Sequence, residues 1–293
     1  MKRFIVGFCL LTIFSSAQNN SSDIKSLDKV ITRPKNLTYS WIKKSDYSTP
    51  LINRFKPLKG YSLVNVKRGS YQEWLRFLPM EPKKTKIKLY NGKKKLLQLL
   101  NAGVVKIDIG KRDLQQCADA VIRLRAEYLY SVKKYNQIHF NYTSGFNARY
   151  DKWRGGYKIN VNGNKVNYYL NPKSTDKTYI GFKSYLTNVF NYAGTYSLNN
   201  ELKPRQPDDI IAGDMLIIGG FPGHVVVVVA VSENGKGEKA VLLAQSYMPA
   251  QSIHILRNLE RPRKGAWFLV EDLKKSGWHN LEWSYKSNHV KRW

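Results

Sequence analysis

Asp214-Met215-Leu216-Ile217-Ile218-Gly219-Gly220-Phe221-Pro222-Gly223-His224-Val225-Val226-Val227-Val228-Val229-Ala230-Val231 is the stretch on which the fold turns. Two apolar, β-branched runs, 214–218 and 224–231, flank a turn rich in Gly and Pro. A third run, 240–245, follows the polar turn 232–238, and 267–270 reads as one more. Short apolar runs bounded by turn residues predict consecutive antiparallel strands of a buried sheet.

Upstream the pattern changes from strands to helices. Leu114, Cys117, Val121, Leu124 and Tyr128 recur at helical spacing, so 113–130 reads as the clearest helix, with Asp113 and Gln116 as its capping box. A second amphipathic helix is expected over 180–192. Ser70-Tyr71-Gln72-Glu73 caps a short helix, 71–77, that Pro79 stops. Asn91-Gly92 and Asn162-Gly163 each mark a hairpin, joining 86–90 to 93–100 and 157–161 to 165–170. Strands are expected at 60–67, 104–109 and 138–143, and a short helix at 146–153. Helices followed by a strand meander predict an α+β fold. The basic, aromatic tail from Lys274, with Trp278, Trp283 and Trp293, has no periodicity that places it.

The first residues read as a secretory leader: Lys2-Arg3, the apolar run 4–14, then Ser15-Ser16-Ala17, with cleavage expected after Ala17. That apolar run is too short to span a bilayer, and no later segment is a transmembrane candidate. The expected organisation is a signal peptide (1–17), a polar N-terminal arm, mobile or loosely draped (18–50), one α+β domain (51–285) and a basic tail (286–293). The location expected is periplasmic or secreted. Formal net charge is +28, or +26 once Lys2 and Arg3 leave with the leader. Such a surface attracts polyanions, and on an exported protein these are peptidoglycan or another anionic envelope polymer. A solvated lysine-rich surface is the plainer reading. No zinc-finger spacing, RNA-recognition motif or other nucleic-acid module is present, so no nucleic-acid partner is expected.

Of two cysteines, Cys9 lies in the leader, so the mature chain keeps one thiol, Cys117, without a disulfide partner. A cysteine hydrolase needs a thiol near a helix N-terminus, a His to take its proton and a polar group to hold that His. Cys117 lies in the first turns of the best helix. His224 opens a strand. Folding that strand about 232–238 brings Gln245 or Ser246 opposite it. Cys117, His224 and Gln245 are thus the candidate nucleophile, general base, and orienting or oxyanion group. Against this, a helix starting at Asp113 puts Cys117 a full turn inside, on the apolar face, where a small buried hydrophobe fits. Asp108, Asp113 and Asp119 form either a carboxylate cluster, which would raise the thiol pKa, or caps and exposed charges. Asp214, after Gly213, reads as a turn residue or as a residue lining the site, the turn being the plainer reading. His139, His254, His279 and His289 lack metal-ligand spacing, and no phosphate or dinucleotide motif appears, so no metal or cofactor is expected.

This order of helix-borne Cys, Gly-Asp…Gly-His strand pair and following polar residue resembles the papain-like amidases of the NlpC and CHAP type. Residues 50–285 also resemble a family of exported Bacteroidetes proteins, the domain of unknown function 4846. The segments that carry this are Trp74-Leu75-Arg76-Phe77-Leu78-Pro79, Arg112-Asp113-Leu114-Gln115-Gln116-Cys117-Ala118-Asp119-Ala120, Pro222-Gly223-His224 and Ala244-Gln245-Ser246-Tyr247-Met248-Pro249. The first resemblance implies a papain-like helix on an antiparallel sheet and a cysteine amidase or peptidase acting on cell-wall peptides. The second implies no activity. The alternative is a non-catalytic envelope protein that binds glycan or peptide on the same scaffold.

Overall fold

The computed structural model describes residues 31–293; the expected signal peptide, Cys9 and residues 18–30 of the polar arm lie outside it. The strands β1 (Tyr61–Leu63), β2 (Asn101–Val104), β3 (Lys203–Pro204), β4 (Met215–Ile218), β5 (His224–Asn234), β6 (Lys239–Gln245), β7 (His254–Leu256), β8 (Trp267–Leu269) and β9 (Val290–Arg292) form one sheet. Its order is β2-β7-β6-β5-β4-β9-β3, and β1 and β8 pair with the far ends of β5 and β6. Every pairing is antiparallel. The expected 214–218, 224–231 and 240–245 runs are its centre, and every residue from His224 to Ser232 is buried. Each Val so enclosed contributes roughly 1.5–3 kcal/mol through burial.

Seven α-helices accompany the sheet among the described residues, giving a mixed α+β fold: α1 (Leu51–Arg54), α2 (Tyr71–Arg76), α3 (Cys117–Ser131), α4 (Tyr150–Arg154), α5 (Tyr179–Tyr192), α6 (Thr195–Glu201) and α7 (Val270–Lys275). α2 and α3 pack on β5, α6 on β4 and α7 on β6. Separate two-stranded ribbons pair 139–141 with 147–149, 157–162 with 165–170, and 278–279 with 284–285.

Several local expectations shift. The 104–109 strand lies earlier, at β2, and 146–153 divides into a strand and α4. The hairpin at Asn91-Gly92 forms but is short: Leu89 N–H bonds to Lys93 O at 2.8 Å, Lys95 N–H bonds to Ile87 O at 3.0 Å, and Lys88 pairs with Lys94. Tyr90 N–H bonds to Ala250 O at 2.8 Å, and Leu89 bridges to Gln251.

The polar arm packs on the domain through Leu37 and Tyr39. Tyr39 is buried and donates its hydroxyl to Trp74 O, while Trp74 Nε1 donates to Thr38 O. Likewise the basic tail is built into the sheet. Arg292 makes a bidentate pair with Asp214, whose carboxylate also accepts from Ile211 N–H, so Asp214 anchors the tail as well as the turn.

Candidate active site

Cys117 is the first residue of α3, not a residue one turn inside it. The reason lies in the preceding loop. Asp113 Oδ1 accepts from Ala250 N–H at 2.6 Å and from Gln116 Nε2, so it does not cap a helix at 113. Gln115 is held by Asp108 O, by Arg123 and by Ser246 Oγ, which donates to its carbonyl. These bonds unwind the first turn of the apolar repeat. Asp119, at the third helical position, accepts from Gln116 N–H at 3.1 Å and supplies the cap.

The thiol is 6 % exposed and lies at the N-terminus of α3 against β5, with backbone N–H groups of Ala118 and of Val225, the residue after His224, directed at it. Burial, and then the Asp119 carboxyl, push its pKa up to about 11; the N–H groups pull the other way without prevailing. Cys117 forms part of the wall of a cleft of about 220 Å³ between the start of α3, the start of α6 and the turn 220–223. Phe221, 82 % exposed, and Met248 stand on its rim. Gly223 allows this turn to close: a Cβ there would lie 2.3 Å from Thr195 Oγ1 and 2.6 Å from Gly220 O.

His224 opens β5 and is 1 % exposed. Its Nε2 lies 2.8 Å from Gln245 Oε1. A register shift at Leu242/Leu243 re-aims the end of β6. The partners of Gln245 fix which atom faces the ring. Its Nε2 donates to Glu282 at 2.7 Å, and Glu282 is ion-paired with Lys95. Oε1 therefore accepts from His224, which places the ring proton on Nε2 and the lone pair on Nδ1. Nδ1 has no hydrogen-bond partner among the described residues. Trp283 stacks on the ring at 5.3 Å and Tyr247 meets its edge. Burial lowers the His224 pKa to about 4, against the raising effects of Gln245 and Glu282, so the imidazole is neutral at physiological pH.

His254 sits beside the same amide and is used differently. Its Nδ1 faces Ser252 O at 3.1 Å and its Nε2 lies 3.4 Å from Gln245 Nε2. Both nitrogens are occupied, and the ring is a hydrogen-bonded core residue. Asp108 is likewise placed outside the cleft wall: burial opposes its charge, but Arg123 and Lys183 hold its carboxyl at about 2.

The structure thus joins His224 to Gln245 and sets Cys117 against the backbone of the next residue on β5. Glu282, Lys95 and Trp283 escaped sequence reasoning. They lie in an unpatterned tail and a lysine-rich loop, and only the fold carries them to Gln245. No three His, Cys, Asp or Glu side chains among the described residues group as metal ligands. No helix among them is long and apolar enough to cross a membrane.

Residues 51–292, which include every residue of this site, match the family described as domain of unknown function 4846. The chain belongs to that family. No curated protein and no solved structure matches it. The domain of unknown function 4846 here includes β9, and so takes in most of the segment expected to be a separate tail.

Proposed function

We propose that this protein is an exported cysteine amidase or peptidase of papain-like arrangement, acting on cell-wall peptides in the periplasm or outside the cell. The observation that carries this reading is the meeting of two chain elements. A cysteine begins α3 against the N–H of Val225, and the preceding His224 has its tautomer set by Gln245.

The reading assigns Cys117 as nucleophile, His224 as general base and Gln245 as the residue that orients His224. Both reacting groups rest uncharged, because the thiol pKa is raised and the imidazole pKa is lowered. The reaction therefore starts from a neutral pair. His224 Nδ1 takes the thiol proton as the sulfur attacks the amide carbon. The imidazolium then protonates the departing amine, leaving a thioester on Cys117. Water, deprotonated by the same nitrogen, releases the acid and restores the thiol.

Mass spectrometry of peptidoglycan peptide fragments incubated with the protein tests this. Expected is one new amine and one new carboxyl per cleavage, abolished in Cys117→Ala and reduced at least 100-fold in His224→Ala. Intact fragments, together with a native Cys117 that iodoacetamide does not alkylate, would overturn the proposal. The burial of Cys117 favours the second reading, a binding protein on the same scaffold, and retention of fragments without cleavage would support it.

A further inference from the structure

A second hollow of about 150 Å³ adjoins the Cys117 cleft, and the two share Leu114 and Phe190. Their walls differ in charge. The Cys117 cleft is lined by Asp113 and Asp119 and by no Lys or Arg. Its neighbour is lined by Lys111, Arg112, Arg123 and Lys183 and by no Asp or Glu, over an apolar floor that includes Leu186. The chain carries 49 basic residues, so their exclusion from the first cleft and concentration in the second give the groove a direction.

Two of these cations are already engaged. Arg123 and Lys183 pair with Asp108, and Arg123 also pairs with Glu127. Lys111 and Arg112 are exposed. Among the described residues, the Lys111 side chain has no ion pair or hydrogen bond, and the Arg112 side chain bonds only Asn191, at 3.5 Å. They precede Cys117 by six and five residues, on the loop that Asp113 and Gln115 pin. A guanidinium and an ammonium held near one apolar hollow suit a carboxylate.

Building on the hydrolase reading, we infer that Lys111 and Arg112 form a subsite for a carboxylate of the substrate, one hollow away from the amide at Cys117. The uncharged part of the peptide lies in the Cys117 cleft, between Phe221 and Met248. The acidic part lies along α5. The substrate class is an amide carrying a carboxylate on one side of the scissile bond.

Alkylation of Cys117 by iodoacetate and by iodoacetamide, which differ by one negative charge, tests the subsite in the full-length protein at 10 mM ionic strength. In the double variant Lys111→Ala, Arg112→Ala the ratio of the iodoacetate to the iodoacetamide rate is expected to fall about three- to fivefold. In 1 M salt the difference should vanish. A control losing two charges that line neither hollow, Lys236→Ala with Arg263→Ala, should leave the ratio unchanged. An N-acetyl dipeptide acid should protect Cys117 from iodoacetamide at lower concentration than its amide, and the two should become equal in the double variant. An unchanged ratio, or an equal fall in the control, overturns the subsite alone. Protection by inorganic phosphate as good as that by the acid overturns it in favour of polymer phosphate. A wild-type Cys117 that neither reagent labels overturns the hydrolase reading and this inference together.

Discussion

Two buried polar networks close on the start of α3, and they differ in what they leave over. Beneath the helix, Arg123 bonds Glu127 through Nε, Gln115 through Nη1, and Asp108 and Tyr179 through Nη2, so each guanidinium nitrogen is engaged, and what is left over is the buried Oε2 of Glu127. At the end of the sheet, Lys95, Glu282 and Gln245 form a chain that stops at His224 with Nδ1 open. The first network holds position through every nitrogen of one guanidinium; the second ends on an imidazole lone pair, which can accept a proton. The difference separates residues that build the site from those proposed to act in it.

The largest effect expected falls on the Arg123 network. Arg123→Met would leave Glu127, which is fully buried, without its cation. Breaking a buried pair on one side costs about 3–5 kcal/mol, against a total that is commonly 5–15. A urea titration of the variant should show a midpoint shift of that size with an unchanged slope. A loss below about 1 kcal/mol would mean that Arg123 does not hold α3 in place, and the contrast between the networks would collapse.

Next comes acid. His224 and His254 have folded pKa values lowered to about 4 by burial, below the unfolded value near 6.5. Between those limits the unfolded chain binds protons that the folded chain does not, so stability falls as pH drops from about 6.5 to 4. Each ring contributes up to about 3 kcal/mol over that window. Asp108 is lowered to about 2, so its stabilisation is present above about 4 and is lost mainly below that, outside this window. Asp119 and Glu201, raised by burial, act in the opposite direction, so the test is a difference: between pH 7 and pH 4 the melting temperature should decline less in His254→Asn than in wild type. An equal decline in both would mean that the His254 ring is solvated.

Glu282→Gln sharpens the comparison from the open side. With an amide at 282, Gln245 is free to turn and present its Nε2 to His224, which moves the ring proton to Nδ1 and removes the base. Cleavage is expected to fall about 10- to 100-fold, the size of a general-base contribution at the low end. The ¹⁵N shifts of His224 should report the tautomer change, while the urea midpoint moves much less than in Arg123→Met. A rate unchanged beside a switched tautomer would remove His224 from the chemistry.

How much of this was legible in the sequence follows from which interactions are local. The central strands were readable because 214–218, 224–231 and 240–245 are continuous apolar runs with turn residues between them, and burial alone decides them. The start of α3 was not. Helical spacing includes Leu114, but Asp113 is tied to Ala250, a residue 137 positions away, and no local pattern encodes that bond. The proximity of His224 and Gln245 could be sketched by folding two strands about one turn. The contribution of Glu282 could not, because it depends on a ribbon at 278–285 whose register only packing defines.

The smallest effect tests whether the two networks can be disturbed one at a time. Ser70 caps α2 by accepting from Glu73 N–H at 3.3 Å, while Glu73 accepts from Gly69 N–H at 2.7 Å, one residue ahead of the N–H that would close a capping box. Ser70→Ala removes one of these bonds at a cost of about 1 kcal/mol. α2 packs on β5 but touches neither Arg123 nor Gln245 in any hydrogen bond among the described residues. The variant should therefore lose stability while the pH profile of Cys117 alkylation and the His224 ¹⁵N shifts stay as in wild type. If they moved as well, small losses of global stability would reach the site through β5. The effects of Glu282→Gln could then no longer be read as local, and the distinction between holding and acting would have to be drawn with double-variant cycles instead.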